Sequence, residues 1–245
     1  MDTPKALKRI SPSELVAFDD FAGTHPVRVD PVYAQPLHLD NMFKTAIYTP
    51  DAKIWGHRDL VAIVLAASRI CFENTGWIFE IKDCLRPVEA QALMGETEIV
   101  KAHPQWLEEP RLLSPPGTGG HPRGMAVDII LVDGNGKEID MGTRFDYLTE
   151  DRANNPAARG TTRFGDDESR NRRILANRRV LEESMMQAAA AAGRKILPLP
   201  EEWWDFRFPP GHYNLYEPLR DADLPPEMRM TSQKRAKGFE YPKRG

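Results

Sequence analysis

Hydrophobic and polar residues recur with two different periods along this chain, and these periods predict its helices and strands. Apolar residues repeat at three- and four-residue spacing over residues 59–74, which predicts an amphipathic helix that Gly76 would end. Residues 77–83 alternate between apolar and polar, as a half-buried strand does, and the apolar, β-branched run at 125–132 predicts a second strand. Residues 169–192 predict a long helix with arginines near its start.

Turn and loop signals separate these elements. Pro87 ends the first strand and suits the first turn of a helix over residues 88–95. A further helix and a Pro/Gly loop are expected over 96–118. The Asp-Gly-Asn-Gly sequence after the second strand predicts a hairpin turn, with residues 137–141 returning as a partner strand. Residues 142–165 are long, polar and loop-like, and loops of this length are usually functional or disordered.

Strands flanked by helices, with one hairpin and no internal repeat, predict a single α+β domain. We expect a small mixed or antiparallel sheet with flanking helices and a metal site at the sheet edge. Residues 1–36 are rich in proline and acid and predict an N-terminal arm that wraps the surface. Residues 37–216 would form the domain, and residues 217–245 a C-terminal tail.

Composition and charge narrow the class of protein. The net charge is -3 and the basic residues are spread out, so we expect no nucleic-acid partner, and the basic excess at 234–244 predicts a solvated end. The apolar run at 60–67 is too short to span a bilayer, and residues 1–15 lack the apolar core of a secretory signal. A cytoplasmic protein without a membrane partner is therefore expected. Cys71 and Cys84 form no CxxC pair, so neither a disulfide framework nor a cysteine metal site follows.

His121 and Asp128 are the first candidates for chemistry. They stand seven apart in the stretch GGHPRGMAVDIILVD, with the histidine on a loop and the aspartate on the strand that the loop enters. An imidazole and a carboxylate so placed can bind one metal ion, and the glycines at 119, 120 and 124 allow tight backbone around it. A polar loop histidine with no ligand role is the alternative interpretation.

A second stretch, Glu-Glu-Trp-Trp-Asp at residues 201–205, strengthens the metal hypothesis. Acids and aromatics crowd together here between prolines, which a surface loop does not require. Glu202 and Asp205 would face opposite sides of a flat strand, so both can point at one ion only if the chain turns between them or Glu202 precedes the strand. One tryptophan ring is expected in the core and the other at its rim.

Arg86 is a further candidate because it stands at the predicted strand-to-helix junction, a usual place for a site residue. A plain structural ion pair is its alternative role. In the long loop that follows the hairpin, the segment Arg144-Phe145-Asp146-Tyr147 stands out for its two aromatic residues.

Taken together, these motifs resemble those of the VanX-type D-alanyl-D-alanine dipeptidases, zinc peptidases that act on peptidoglycan peptides. The similarity covers roughly residues 37–216. It rests on Arg-Pro at 86, His-Pro-Arg-Gly-Met-Ala-Val-Asp at 121, Met-Gly-Thr-Arg-Phe-Asp at 141, Asn-Arg-Arg at 171 and Glu-Trp-Trp at 202.

The resemblance implies a role for each candidate residue. His121, Asp128 and Asp205 would bind one zinc ion, Glu202 would be the catalytic base, Arg86 would stabilise the developing oxyanion, and Asp146 would receive the ammonium of a dipeptide. For Asp146 the alternative is a salt bridge with an arginine of its loop, such as Arg144.

Two departures from the family pattern bear on this expectation. Asp205 replaces the family's third ligand, a histidine, which adds a negative charge and favours harder ions, so Mn²⁺ or Fe²⁺ join Zn²⁺ as candidates. His212 is an alternative third ligand. Gly119 and Gly120 replace serines that help to hold the substrate, which would leave more room and remove two hydroxyl donors.

We therefore expect a metallopeptidase that hydrolyses D-alanyl-D-alanine or a related short peptidoglycan peptide, with Glu202 as general base. The partner would be a small peptide substrate, and the oligomeric state is left open. One alternative is a related murein-peptide carboxypeptidase or endopeptidase with a different substrate. The other, motivated by Asp205, is a non-catalytic peptide-binding relative.

Overall fold

The computed structural model describes residues 6–109 and 111–232, which contain both strands and helices. The strands are β1 (Leu15–Ala17), β2 (Val27–Val29), β3 (Trp55–His57), β4 (Ile78–Asp83), β5 (Ala126–Val132), β6 (Leu197–Pro198) and β7 (Asp205–Arg207). The helices are α1 (Arg58–Thr75), α2 (Val88–Gly95), α3 (Glu98–Ala102), α4 (Glu168–Ala191) and α5 (Pro210–Tyr213). The predicted α+β class is confirmed.

A five-stranded sheet in the order β2-β4-β5-β7-β6 forms the framework of the fold. β2 runs parallel to β4, whereas the other neighbours are antiparallel, so the sheet is mixed. β5 lies at its centre, and every residue of this strand is buried. A continuous apolar run is what a strand covered on both faces requires. β1 and β3 form a separate two-stranded sheet.

The two long helices, α1 and α4, pack against each other, and both are helices that the sequence predicted. α1 ends at Gly76, which adopts the left-handed conformation with a φ of 74°. Asp167 is the N-cap of α4, and its side chain accepts a hydrogen bond from the backbone N–H of Arg170. The predicted bounds of these helices differ from the observed bounds by one residue at each end, and α2 has the predicted bounds.

Residues 6–36 take a larger part in the fold than the surface arm that we expected. Their strand β2 extends the main sheet, and the side chains of Phe18, Val32 and Tyr33 are buried in the core. Short 3-10 turns separate these apolar residues, so they show neither a helical nor a strand period. The domain boundaries at 36 and 216 stay predictions.

In the predicted hairpin after β5, only the residue pairs nearest the turn form backbone contacts. The backbone N–H of Ile139 donates to the carbonyl oxygen of Leu131 at 2.9 Å, and Glu138 forms an isolated bridge with Val132. Residues 137–141 therefore do not make the full partner strand that we predicted, because the chain leaves the sheet once this short pairing ends.

No helix within residues 6–109 and 111–232 is both long enough and apolar enough to cross a membrane. The two cysteines, Cys71 and Cys84, are buried free thiols. The charged end at 234–244 lies outside the described residues. Its solvated character and the cytoplasmic location stay predictions.

Candidate active site

The strand register brings three carboxylates together near the ends of the three inner strands of the main sheet. Asp128 on β5 lies opposite Asp83 on β4 and opposite Asp205 on β7. Residues directly opposite each other share a face of the sheet, so these acids form a row across three neighbouring strands. The β4–β5 register shifts between Ile81 and Asp83, and such irregularities re-aim side chains near active sites.

The loop before β5 carries His121 to the same place. Its turn ends at Gly124, where φ is 60° and an added Cβ would come within 2.9 Å of the backbone nitrogen of His57. His121 Nδ1 lies 2.8 Å from the carbonyl oxygen of Cys84, which can only accept, so Nδ1 carries the proton. The other ring nitrogen, Nε2, is therefore free to face the row of acids.

His121 Nε2 lies 3.6 Å from Asp128 Oδ1 and 3.3 Å from Asp205 Oδ2. Burial and the cation of Arg86 oppose a charged imidazole, but the carboxylates outweigh them and raise the pKa of His121 to about 10. The cluster thus attracts positive charge strongly.

The donor set fits a divalent metal ion. One carboxylate oxygen each of Asp128, Glu202 and Asp205 lies within 4.8 Å of the other two, so Glu202 would stand beside an ion held by the two aspartates. Asp128 Oδ1 is buried and has no hydrogen-bond partner among the described residues. A buried carboxylate oxygen without a donor is unfavourable, and an ion between it and His121 Nε2 would satisfy it.

Asp83 belongs to a second possible ligand group, with His121 and Asp128. Both of its oxygens are already engaged, however. Oδ1 accepts a hydrogen bond of 2.7 Å from the hydroxyl of Tyr48, and Oδ2 accepts one of 2.7 Å from Arg86 Nε. Asp83 therefore supports Arg86. It faces the protonated ring nitrogen of His121, Nδ1, at 3.7 Å, and so lies on the side of the ring away from Nε2.

Glu202 lies in a turn before β7, so the geometric condition set by the sequence is met without a twist of the strand. Its backbone N–H donates to the carbonyl oxygen of Leu199 at 3.3 Å, and β7 begins only at Asp205. Desolvation in the cleft, together with the carboxylates of Asp205 and Asp128, raises the pKa of Glu202 to about 8. A carboxyl group that titrates near neutral pH is suited to proton transfer.

Both tryptophans after Glu202 are buried, so the expectation of one ring at the rim was wrong. Trp203 and Trp204 are 2% and 1% exposed. The indole N–H of Trp203 donates to the hydroxyl of Thr143 at 2.8 Å, which lets the ring enter the core with its polar atom satisfied.

Arg86 points into the cleft and is also an ion-pair partner. Besides its bond to Asp83, one terminal nitrogen lies 3.4 Å from Asp128 Oδ2. The guanidinium carbon lies 5.4 Å from the centre of the Tyr33 ring. The two roles that the sequence left open are therefore compatible, because the ion pair with Asp83 fixes the orientation of the group.

Asp146 lies in the same cleft and forms no salt bridge with Arg144. Its Oδ2 accepts a hydrogen bond of 2.9 Å from the hydroxyl of Tyr33, whereas Arg144 pairs with Asp40 at 2.9 Å. Asp146 has a positive φ of 58°, an unusual backbone conformation for a residue other than glycine. Burial raises the pKa of Asp146 to about 7, against the lowering effects of Arg86 and Tyr33.

His212 lies outside this cluster. Its ring packs against Phe208 and Tyr216, with centroid distances of 4.8 and 5.7 Å. The groups of possible metal ligands among the described residues do not include it. The interpretation of His212 as a third ligand is therefore not supported by the structure.

The two glycines before His121 have steric reasons of their own. An added Cβ at Gly120 would lie 2.9 Å from both the Ala126 Cβ and the Met125 carbonyl oxygen. Gly119 has a φ of 85°, which disfavours a side chain even though the space beside it is open. Gly120 therefore does not provide extra room, because the surrounding backbone closes the space that a serine would need.

The cleft has a volume of about 720 Å³, and its lining includes Arg86, His121, Asp128, Asp146, Glu202 and Asp205. Tyr33, Asp83 and Arg207 are functional candidates that the sequence did not indicate to us. Arg207 could have been predicted from the sequence. It follows Asp205 by two residues, and residues two apart on a strand share a face. Tyr33 had none, because it lies in a segment without a regular period.

Comparisons with known proteins identify the family to which the chain belongs. A family model described as D-ala-D-ala dipeptidase matches residues 15–218, a range that contains every candidate residue. The D-alanyl-D-alanine dipeptidase of Escherichia coli (strain K12) is 29% identical over 171 residues, which cover 69% of this chain and 74% of that protein. The crystal structure of the Serratia marcescens L-Ala D-Glu endopeptidase aligns with a TM-score of 0.36 and 14% identity, over 64% of this chain and 84% of that one.

Proposed function

We propose that this chain, which belongs to the D-ala-D-ala dipeptidase family of metallopeptidases, hydrolyses D-alanyl-D-alanine or a related short peptidoglycan peptide. One observation carries the proposal. A histidine nitrogen and the carboxylates of Asp128, Glu202 and Asp205 converge in a cleft that also holds a cation, Arg86, and a buried acid, Asp146. Metal-assisted hydrolysis of a short peptide can use each of these groups, as metal ligands, as a base, as a cation for the oxyanion and as an acid for the substrate ammonium.

His121, Asp128 and Asp205 are the residues that would hold the ion. Zn²⁺ is the first candidate, and Mn²⁺ or Fe²⁺ follow because two of the three ligands are hard carboxylates. When bound in a site with an open position, a zinc ion lowers the pKa of its water to about 7 and so supplies a nucleophile near neutral pH.

The remaining residues would move the proton and stabilise charge. Glu202 would take the proton of the attacking water and pass it to the leaving amine. Arg86, held by Asp83, would donate to the carbonyl oxygen as negative charge develops there. Asp146, beside the hydroxyl of Tyr33, would accept the ammonium of the substrate and so set its position in the cleft.

Metal content tests the first step of this proposal. We expect about one equivalent of zinc, manganese or iron per chain in tag-free protein, because three ligands with one open position is the usual arrangement of a catalytic site. His121→Ala should lose the metal, since it removes the one nitrogen ligand, whereas His25→Ala, outside the cleft, should keep it. Mass spectrometry of the metal checks this. A parental protein that takes up none of these ions from excess would contradict the proposal.

A longer murein peptide is the second candidate substrate, and the size of the cleft favours it. The cleft of about 720 Å³ extends beyond the cluster to Arg111 and Arg152, and a volume in this range suits ligands larger than a dipeptide. A panel of D-alanyl-D-alanine, tetrapeptides and pentapeptides separates the candidates by kcat/KM. Strong preference for the free dipeptide would exclude the longer substrates.

Substrate binding should depend on pH through Asp146. Below a pH of about 7 this carboxyl is protonated and cannot pair with an ammonium, so the KM for a dipeptide should fall as pH rises through this value. Above about pH 8 the substrate amine loses its own proton and binding should weaken again. Asp146→Asn should raise KM about ten- to a hundredfold and remove the lower limb of the profile.

Asp140→Asn is the control for this experiment, because Asp140 is a partly exposed aspartate that pairs with Arg170. It should leave the pH profile of KM unchanged. If Asp146→Asn retains the parental KM and the parental lower limb, Asp146 does not bind the ammonium.

A further inference from the structure

Asp205 has a partner that a neutral ligand at this position would not need. Arg207 Nε donates to Asp205 Oδ1 at 2.8 Å, and a terminal nitrogen of Arg207 bonds to Oδ2. Both oxygens of the carboxylate are thus held by one planar guanidinium, the bidentate geometry in which Arg–carboxylate pairs are strongest. The Asp205 side chain is 1% exposed and that of Arg207 is 14% exposed, so solvent weakens this pair little.

The strand geometry favours the pairing of Asp205 with Arg207, and a second arginine binds the main chain of Asp205. Asp205 and Arg207 are alternate residues of β7 and share one face of the sheet. A second arginine, Arg159, donates to the backbone carbonyl oxygen of Asp205 at 2.9 Å and lies over the ring of Phe206, 4.4 Å from its centre. The position of the Asp205 carboxylate is therefore determined at both its main chain and its side chain.

The pair also changes the charge of the cluster. His121, Asp128 and Asp205 carry two carboxylates, one more negative charge than a set in which residue 205 were a neutral histidine. The guanidinium of Arg207 cancels this extra charge. A carboxylate oxygen has two lone pairs, so Oδ2 can accept from Arg207 and still face His121 Nε2, which lies 3.3 Å away.

We propose that Arg207 is a positioning residue of the metal site, and that Asp205 and Arg207 act together as one neutral ligand in place of a histidine. Arg207 turns Oδ2 of Asp205 toward the ion and removes the charge that a second carboxylate adds. This inference rests on the proposed function, since it requires His121, Asp128 and Asp205 to hold the ion.

The proposal has a counterintuitive consequence for Asp205→His, which introduces a better zinc ligand. This variant leaves Arg207 as a largely buried cation beside the ion without its hydrogen-bonded carboxylate, and only the more distant charges of Glu202 and Asp128 remain near it. An unpaired buried charge is strongly unfavourable, and it repels a dication at short range. Asp205→His/Arg207→Thr removes both the carboxylate and the cation, so its ligand set has the charge of the parental cluster. Threonine also suits a strand position.

The experiment measures the dissociation constant for Zn²⁺ by competition with a chromophoric chelator, which needs no activity. We expect Asp205→His to bind Zn²⁺ at least about tenfold more weakly than Asp205→His/Arg207→Thr. Asp205→His/Arg194→Gln is the matched control, because Arg194 pairs with Asp59 and is 46% exposed in its side chain. It should bind as weakly as Asp205→His. Melting temperatures of the metal-free proteins show whether each variant is folded.

The outcomes separate the two proposals. A parental protein that binds Zn²⁺, with Asp205→His binding as tightly as the double variant or more tightly, overturns the role of Arg207 alone. A parental protein that binds none of the candidate ions overturns the proposed function, and this inference with it. If Asp205→His does not fold, the double variant must fold and bind Zn²⁺, and its failure to do so overturns the inference.

Discussion

Glu202→Gln is expected to lower kcat by about 10²- to 10⁴-fold while the metal ion stays bound. Glutamine has nearly the same shape as glutamate, but its amide cannot take a proton from water. The proposed ligands, His121, Asp128 and Asp205, are untouched by this change. Loss of turnover with full metal content would therefore assign proton transfer, rather than metal binding, to Glu202.

Glu201→Gln is a matched control for this variant. Glu201 is the preceding residue, lies at the same cleft and has an exposed side chain. It should hydrolyse D-alanyl-D-alanine within a few-fold of the parental rate. Steady-state kinetics and metal content, measured on both variants and the parent, check the prediction. A Glu202→Gln protein that turns over at the parental rate would exclude Glu202 as the base.

Arg86→Lys is expected to lower kcat by about 10²- to 10³-fold, with a smaller change in KM. Lysine keeps a positive charge for the buried carboxylate of Asp83, which a neutral residue would leave without a cation. It lacks the planar fork with which Arg86 reaches Asp83 and the cleft at the same time. The loss should therefore fall on the transition state, where negative charge on the carbonyl oxygen is greatest.

A second buried arginine distinguishes this effect from a general loss of stability. Arg178 is 7% exposed and donates to the carbonyl oxygens of Met141, Pro156 and Ala158, away from the cluster of acids. Arg178→Lys should lower the melting temperature and leave kcat close to the parental value. If Arg86→Lys changes only the melting temperature, Arg86 is an ion-pair partner and no more.

The sequence determined those features that depend on local periodicity. α1 follows from apolar residues at helical spacing, and β5 follows from a run that is apolar at every position except Asp128. The motif at 121–128 indicated a pair of metal ligands from sequence alone, because its loop histidine and its strand aspartate are close together in the chain. The family resemblance then supplied candidate roles for Arg86, Asp146, Glu202 and Asp205, which lie far from this motif.

Only the tertiary structure decided how distant segments meet. The antiparallel register placed Asp83, Asp128 and Asp205 in one row, and strand register is a long-range property that no local pattern contains. Tyr33 entered the cleft because β2 joins the edge of the sheet, although its own segment has no regular period.

The pairing of Asp205 with Arg207 depends both on the local sequence and on the tertiary structure. The alternate spacing on a strand was visible in the sequence, but burial of the pair beside His121 was not. The same holds for Gly120, where the backbone of Met125 excludes a side chain. In each case the sequence determined which chemical groups were available. Packing of segments remote in the chain determined which of these groups are desolvated together, and desolvation gives charges and hydrogen bonds their strength.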